Sequence, residues 1–279
     1  MHTTNLLEIA PNLELSPDGW WTSRTVSAVS YPEEGNAACF AVEDSSFWFR
    51  HRNRCILQAI KSFPPSGAFF DVGGGNGYVA RAIQDSGLDV VLVEPGFSGV
   101  RNALKRGILQ VVRATLNDAG VLPGTLPAVG LFDVIEHIGD DSGFLAEINR
   151  LVIPGGRVYI TVPAYQWLWS GEDILAGHSR RYTVPALRRL LENAGCAVEF
   201  ATYFFSFLPL PILLLRVLPY RLGLASKEIA DSDVRSDHDP GNPLVERLLQ
   251  KLTRRELSRI AALRPVRLGG SCLVVARKR

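Results

Sequence analysis

FFDVGGGNGYVARAIQ, Phe69 to Gln84, sets four glycines among positions 73–77, between an apolar run and a segment of helical spacing. In a sheet of alternating strands and helices, such a turn carries glycine backbone and helix N-terminal amides close to a polar ligand. A dinucleotide fingerprint, G-x-G-x-x-G, needs its third glycine at position 78. Position 78 is Tyr; the glycines stand at 73, 75 and 77 behind Asp71, giving D-x-G-x-G-x-G. The turn therefore fits a nucleotide-like ligand but not the dinucleotide fingerprint.

Outward from this turn, short apolar runs alternate with helical patterns. Strands are expected at 68–72, 89–93, 108–113, 128–132, 156–162 and 197–202, with a last strand in SCLVVARKR. Helices are expected at 77–86, 98–106 and 142–151, and in VPALRRLLENAG behind a Thr183 cap. Gly87, Gly107 and Gly195 sit where C-cap glycines belong, and Pro185 in a first turn. This rhythm predicts an α/β fold, a doubly wound, mostly parallel sheet with helices on both faces. Upstream, DSSFWFRHRNRCILQAIKSF reads as a helix capped by Asp44 or Ser45 and ended by Pro64-Pro65, with residues 1–43 an irregular arm or lid. Downstream, 231–243 is a polar Pro/Gly loop, and Leu244, Leu248, Leu249, Leu252, Leu257 and Ile260 form one face of a basic helix.

The 279 residues, 47% hydrophobic and 21% charged, can bury a full core, which excludes a disordered or fibrous protein. A net charge of +2 gives no global sign of a nucleic-acid partner, although ten Lys/Arg against two acids make 246–279 basic. Cys39, Cys55, Cys196 and Cys272 have neither metal-ligand spacing nor disulfide density, so a reducing, cytoplasmic setting is expected. MHTTNLLEIAPNLEL lacks the basic and apolar regions of a secretory signal. YFFSFLPLPILLLRVLPY, 203–220, is interrupted by Pro209, Pro211 and Arg216, which speaks against a bilayer span. A cap over the sheet is the expectation there, and peripheral membrane contact the alternative.

The D-x-G-x-G-x-G loop resembles motif I of the class I S-adenosylmethionine (SAM) dependent methyltransferases, in particular the small-molecule, UbiE/UbiG-like branch. The likeness continues through VVLVEP, VVRATL, LFDVIEHIGDD and LVIPGGRVYITVPAY, in family order, over roughly 45–205. It implies a Rossmann-like seven-stranded sheet with N- and C-terminal helical caps, divided as a lid (1–43), a SAM-binding core (44–205) and an apolar, basic cap with the final strand (206–279). It implies SAM as cofactor, with Asp71, Gly73, Gly75, Asn76 and Gly77 at its methionine part. Glu94, followed by Pro95, would accept the ribose hydroxyls, Thr115 and Leu116 would pack on adenine, and Phe132 and Asp133 would close the site. Many relatives carry Gly-Asp at the adenine segment; Arg113-Ala114-Thr115 here requires a neutral or backbone contact, or Asp118 reaching in.

Methyl transfer needs alignment, desolvation and, for a hydroxyl acceptor, a base. His137, just after the fourth strand, and His178, in GHSRRYT, are the candidate catalytic bases. The family likeness puts a substrate-side H-x-R-R-Y element at 178–182, which with the aromatic insert before it nominates Tyr165, Trp169, Arg181 and Tyr182. Phe47, Trp48, Phe49, Arg50 and His51 offer an opposite wall, of which Phe49 and Arg50 are taken as substrate contacts. Asp133-x-x-Glu136-His137 is similar to the metal site of some quinone-type O-methyltransferases, yet a metal-free site is the expectation. A nucleic-acid substrate is disfavoured, since Asp-Val-Ile-Glu-His stands where N-P-P-Y would hold a flipped base. The expected activity is methyl transfer to a small or lipid-like acceptor, O-methylation before N or C. The alternatives are a metal-assisted O-methyltransferase of quinone or catechol type and a SAM-binding accessory protein without turnover.

Overall fold

The computed structural model of the chain describes residues 4–25, 39–224 and 243–279. Most of the loop expected at 231–243 lies outside them. After a short helix α1 (Leu6–Ile9) come strands β1 (Leu13–Leu15) and β2 (Trp21–Ser23), then helix α2 (Phe47–Ser62). Next are β3 (Phe69–Val72), α3 (Tyr78–Asp85), β4 (Val90–Val93), α4 (Phe97–Lys105), β5 (Gln110–Arg113), β6 (Leu126–Phe132) and α5 (Asp141–Leu151). The chain continues through β7 (Val152–Pro163), a short helix α6 (Gly171–Leu175), α7 (Val184–Asn193) and β8 (Cys196–Phe204). A broken helical segment over 209–221 with a π-helical turn, Leu213–Val217, precedes the long helix α8 (Pro243–Ala261) and β9 (Ser271–Lys278).

The strands form one sheet in the order β1-β2-β5-β4-β3-β6-β7-β9-β8. From β2 to β7 neighbouring strands are parallel, and β9 runs antiparallel to both β7 and β8. The chain order reverses between β4 and β6 on either side of β3, which opens a crevice at the carboxyl ends of these strands. Alternate residues of β3 feed two cores: Phe70 and Val72 face the cluster containing Leu145 of α5 and Leu187 of α7. Phe69 faces the cluster containing Ile56 of α2, Ile83 of α3 and Val100 of α4.

Two departures from the sequence expectation have local causes. The described part of the amino-terminal arm is not irregular: β1 and β2 form a hairpin closed by Ser16 N to Trp20 O at 2.8 Å. This hairpin extends the sheet beside β5 (Trp21 against Val112), so the sheet has nine strands among the described residues where seven were expected. Three-residue strands are too short to show a period in sequence. Second, the cap of α2 is Ser46, whose hydroxyl accepts from Trp48 N at 3.1 Å, while Asp44 pairs with Arg106 at 2.9 Å. The last strand expected in SCLVVARKR is β9, which lies inside the sheet between β7 and β8.

Candidate active site

The glycine turn between β3 and α3 opens into the crevice. Gly73 has φ +70°, and a Cβ there would stand 2.8 Å from Val134 Cγ2, so both backbone and space require glycine. Gly77, at φ +75°, lies so close to Ala103 and Ile108 that an added Cβ would stand 3.1 Å from each; it closes the turn onto α4 and does not line the cavity. Glu94, at the end of β4, accepts from Gly75 N at 2.9 Å and from Gly96 N at 2.7 Å, one bond on each oxygen. Two carboxylate oxygens with about four acceptor sites at a strand end are the bidentate acceptor that a vicinal diol needs. Asp71 is buried, its Oδ2 has no hydrogen-bond partner, and burial pushes its carboxyl up to about 7. An orphaned carboxylate oxygen beside a glycine cradle fits a cationic ligand end, and with Glu94 it meets the donor set of SAM. Asn76 is locked by Glu43 (3.2 Å) and Asn102 (2.9 Å).

A second group of side chains lines the same cavity, which encloses about 1290 Å³. Small-molecule pockets span about 300–1,000 Å³, so there is room for a donor and an acceptor together. The turn Ile135–His137 is stitched to the loop after α6: Ser179 N donates to Glu136 O (2.7 Å), Arg180 Nη2 to Gly139 O (2.6 Å) and Tyr182 Oη to Ile135 O (3.3 Å). This stitching sets the rings of His137 and His178 edge to face, centroids 4.9 Å apart. His137 Nδ1 meets Gly177 O at 3.3 Å and His178 Nδ1 meets Asp173 Oδ1 at 2.8 Å. Both partners only accept, so each Nδ1 carries the proton and each Nε2 is left as the basic nitrogen. Burial, followed by His178, lowers the pKa of His137 and keeps it neutral near pH 7. Burial alone would raise Asp173, but bonds from His178, Arg181 (2.7 Å) and Ser170 N (2.8 Å) hold it below the usual carboxylate range.

Glu136 is fully buried and neither of its carboxyl oxygens has a hydrogen-bond partner. Burial, then the neighbouring Asp133, raises it well above the usual carboxylate range, which favours its neutral form. Asp133, at φ 59°, has Arg52 Nε at 2.6 Å from Oδ2, an ion pair whose angle falls short of a hydrogen bond. Glu136, His137 and His178 each offer a ligand atom, all within 4.8 Å of one another.

Of the expected residues, Asp71, Gly73, Gly75, Asn76, Glu94, Phe132 and Asp133 come together at the cavity with His137, His178, Phe49 and Arg181. Pro95, Thr115 and Leu116 do not line it. Leu116 is core, packed in the cluster that holds Leu6 and Leu13, and Thr115 Oγ1 accepts from Asp118 N at 3.1 Å. The amino-terminal hairpin takes up this segment, with Ser23 Oγ donating to Asp118 O at 2.7 Å. Tyr182 is buried and bonds Asp141 at 2.8 Å, and Tyr165 stacks on Tyr203 at 4.9 Å; both brace the loop, and neither they nor Trp169 line the cavity. Arg50 is exposed in a separate groove against α8, and His51 is buried against Glu256, so successive residues of α2 point to different sides. Sequence reasoning missed Arg52 as a site residue, named Glu136 only through its metal-site likeness, and missed Leu208, Pro211, Ile212 and Leu215 as cavity wall. The last four carried a signal, the i, i+3, i+4, i+7 spacing of one helical face.

Residues 45–199 match the model of a methyltransferase-domain family. The chain is 26% identical over 171 residues to a probable S-adenosylmethionine-dependent methyltransferase of Mycolicibacterium smegmatis, across 60% of this chain and 66% of that protein. It is 29% identical over 148 residues to a ubiquinone biosynthesis O-methyltransferase of Aeromonas salmonicida, across 46% of this chain and 62% of that protein. The matched region thus spans less than two thirds of either relative. In solved structures, the fold is similar to a chain of the complex between the Haloferax volcanii Trm112 methyltransferase activator and a putative methyltransferase (TM-score 0.56, 17% identity, 88% of this chain and 94% of that one). It is also similar to Haemonchus contortus phosphoethanolamine N-methyltransferase 2 in complex with S-adenosyl-L-methionine (TM-score 0.54, 19% identity, 88% and 57%). At these identities the likeness concerns the fold.

Proposed function

The chain belongs to the methyltransferase-domain family, with a class I SAM-dependent fold, and from that premise we propose that it methylates a hydroxyl of a small or lipid-like acceptor. The observation that carries this is one cavity lined both by the glycine turn with Glu94 and by the His137–His178 pair. When bound, SAM supplies a methyl group activated on a sulfonium for in-line displacement. Asp71 and Glu94 hold the cofactor, with the backbone of Gly73 and Gly75. His178, its Nδ1 proton fixed by Asp173, takes the acceptor's proton on Nε2 as that oxygen becomes nucleophilic. His137 stays neutral beside it, so the pair does not carry two positive charges at rest. Glu136, at the cavity with both carboxyl oxygens unpartnered, is placed to hydrogen-bond the acceptor's polar head. Trp48, Leu208, Pro211 and Ile212 exclude water from the exchange.

The test is transfer of radiolabelled methyl from SAM to hydroxyl-bearing amphiphiles, beside calorimetric SAM binding. His178→Ala is expected to keep SAM affinity and to lose about 10²–10⁴-fold in kcat, the usual worth of a general base; unchanged kcat would remove His178 from the base role. SAM binding without turnover on any acceptor would favour an accessory protein. A metal-assisted variant is favoured by one observation, the convergence of Glu136, His137 and His178 within 4.8 Å. A divalent ion held there would acidify a phenol or catechol oxygen. Activity that a chelator removes and magnesium restores would select that reading.

A further inference from the structure

The apolar wall of the cavity belongs to the broken helical segment 209–221, whose outward side is also largely apolar. Leu208, Pro211, Ile212 and Leu215 line the cavity, while Leu210 (62% exposed), Leu214 (51%) and Leu222 (69%) look into solvent. A surface helix normally turns a polar face outward, and contiguous exposed apolar residues mark a binding surface. The patch spreads onto the neighbouring loop and α6, where Trp167, Ile174 and Leu175 are exposed. Contacts join the two segments: Arg216 pairs with Glu172 and Arg221 donates to Trp167 O at 3.3 Å. Leu215 is both cavity lining and 75% exposed, so the patch surrounds the cavity mouth.

Resting on the lipid-like acceptor proposed above, we propose that this patch seats the protein on an anionic bilayer surface and that the acceptor enters from that bilayer. Its hydroxyl head would reach His137 and His178 while its hydrocarbon tail lies along Leu208, Pro211, Ile212 and Leu215. Leucines and Trp167 supply the apolar and interfacial contacts, and the exposed Arg221, which spends one N–H on Trp167 O, supplies positive charge at the patch for acidic headgroups, while Arg216 is held by Glu172. Among the described residues no helix is long and apolar enough to cross a membrane, so the contact is with one leaflet. A second copy seated on the patch would bury Leu215 and shut the mouth, whereas a bilayer supplies the cavity through it.

Sedimentation with vesicles of phosphatidylcholine, with and without phosphatidylglycerol, tests the proposal, using the full chain and the double variant L210E/L214E. Neither leucine lines the cavity. The wild type is expected to pellet with the anionic vesicles, and the variant to bind them roughly a hundredfold more weakly. Calorimetric SAM affinity, equal in both proteins, certifies that the variant is folded; loss of SAM binding in the wild type would sink the methyltransferase reading and not the docking surface. Wild type that stays in the supernatant with both vesicles, or equal pelleting of a folded variant, overturns the proposal. So does a concentration-dependent dimer in light scattering that the variant abolishes, which would assign the patch to a second copy.

Discussion

Asp71 is the residue at which folding and binding pull apart. Its folded-state carboxyl titrates at about 7 against an ordinary 3.8, because burial penalises the charge. A raised pKa means that the folded state holds its proton more tightly than the unfolded chain. The stability this confers is full below the unfolded value and is lost as pH rises through about 7. Asp71→Asn is therefore expected to stabilise the ligand-free protein at pH 8 by ~2–4 kcal/mol and hardly at all near pH 4, read in paired thermal melts. The same variant should bind SAM more weakly at pH 8, since the buried anion meant for a cationic group is gone. Glu94→Ala removes the acceptor of two backbone amides and, in the proposed site, of the ribose diol; SAM should then bind ~1–3 kcal/mol more weakly by calorimetry. An equally tight variant would move the ribose contact elsewhere.

At the scale of elements, α8 is clamped to the sheet by one buried carboxylate. Glu256 accepts from His51 Nε2, Phe205 N and Ser206 N, each at 2.7 Å. Burial would raise it, yet these bonds hold it below the usual carboxylate range. Glu256→Ala leaves two buried amides and a buried imidazole without their acceptor, and should cost about 3 kcal/mol in chemical denaturation. A loss under about 0.5 kcal/mol would mean that α8 is held by its leucine face alone. The clamp also fixes the cavity wall, because Phe205 meets His51 edge to face and stacks on Trp48 at 5.4 Å, and Trp48 lines the cavity. The helical spacing of α8 was legible in sequence; its anchor was not, since positions 51, 205 and 256 meet only in the fold.

For the molecule as a whole, the matched span 45–199 is not a complete folding unit. Among the described residues strand β8 pairs only with β9, which comes from 271–278, so a fragment of residues 45–205 would leave β7 and β8 with unpaired edges. Such edges recruit other chains. That fragment is expected to aggregate or to lack a cooperative melt while the full chain melts in one transition; a well-dispersed NMR spectrum from the fragment would overturn this. Sequence alone determined the strand–helix alternation, the glycine turn and the acid ending β4, because periodicity and turn chemistry are local properties of the chain. Only the tertiary structure decided that His137 meets His178, that Glu136 is buried without a partner, and that Leu208–Leu215 wall the cavity. Those facts depend on which distant segments the core brings together, since burial and pairing, rather than residue type, set a group's charge, tautomer and access to a ligand.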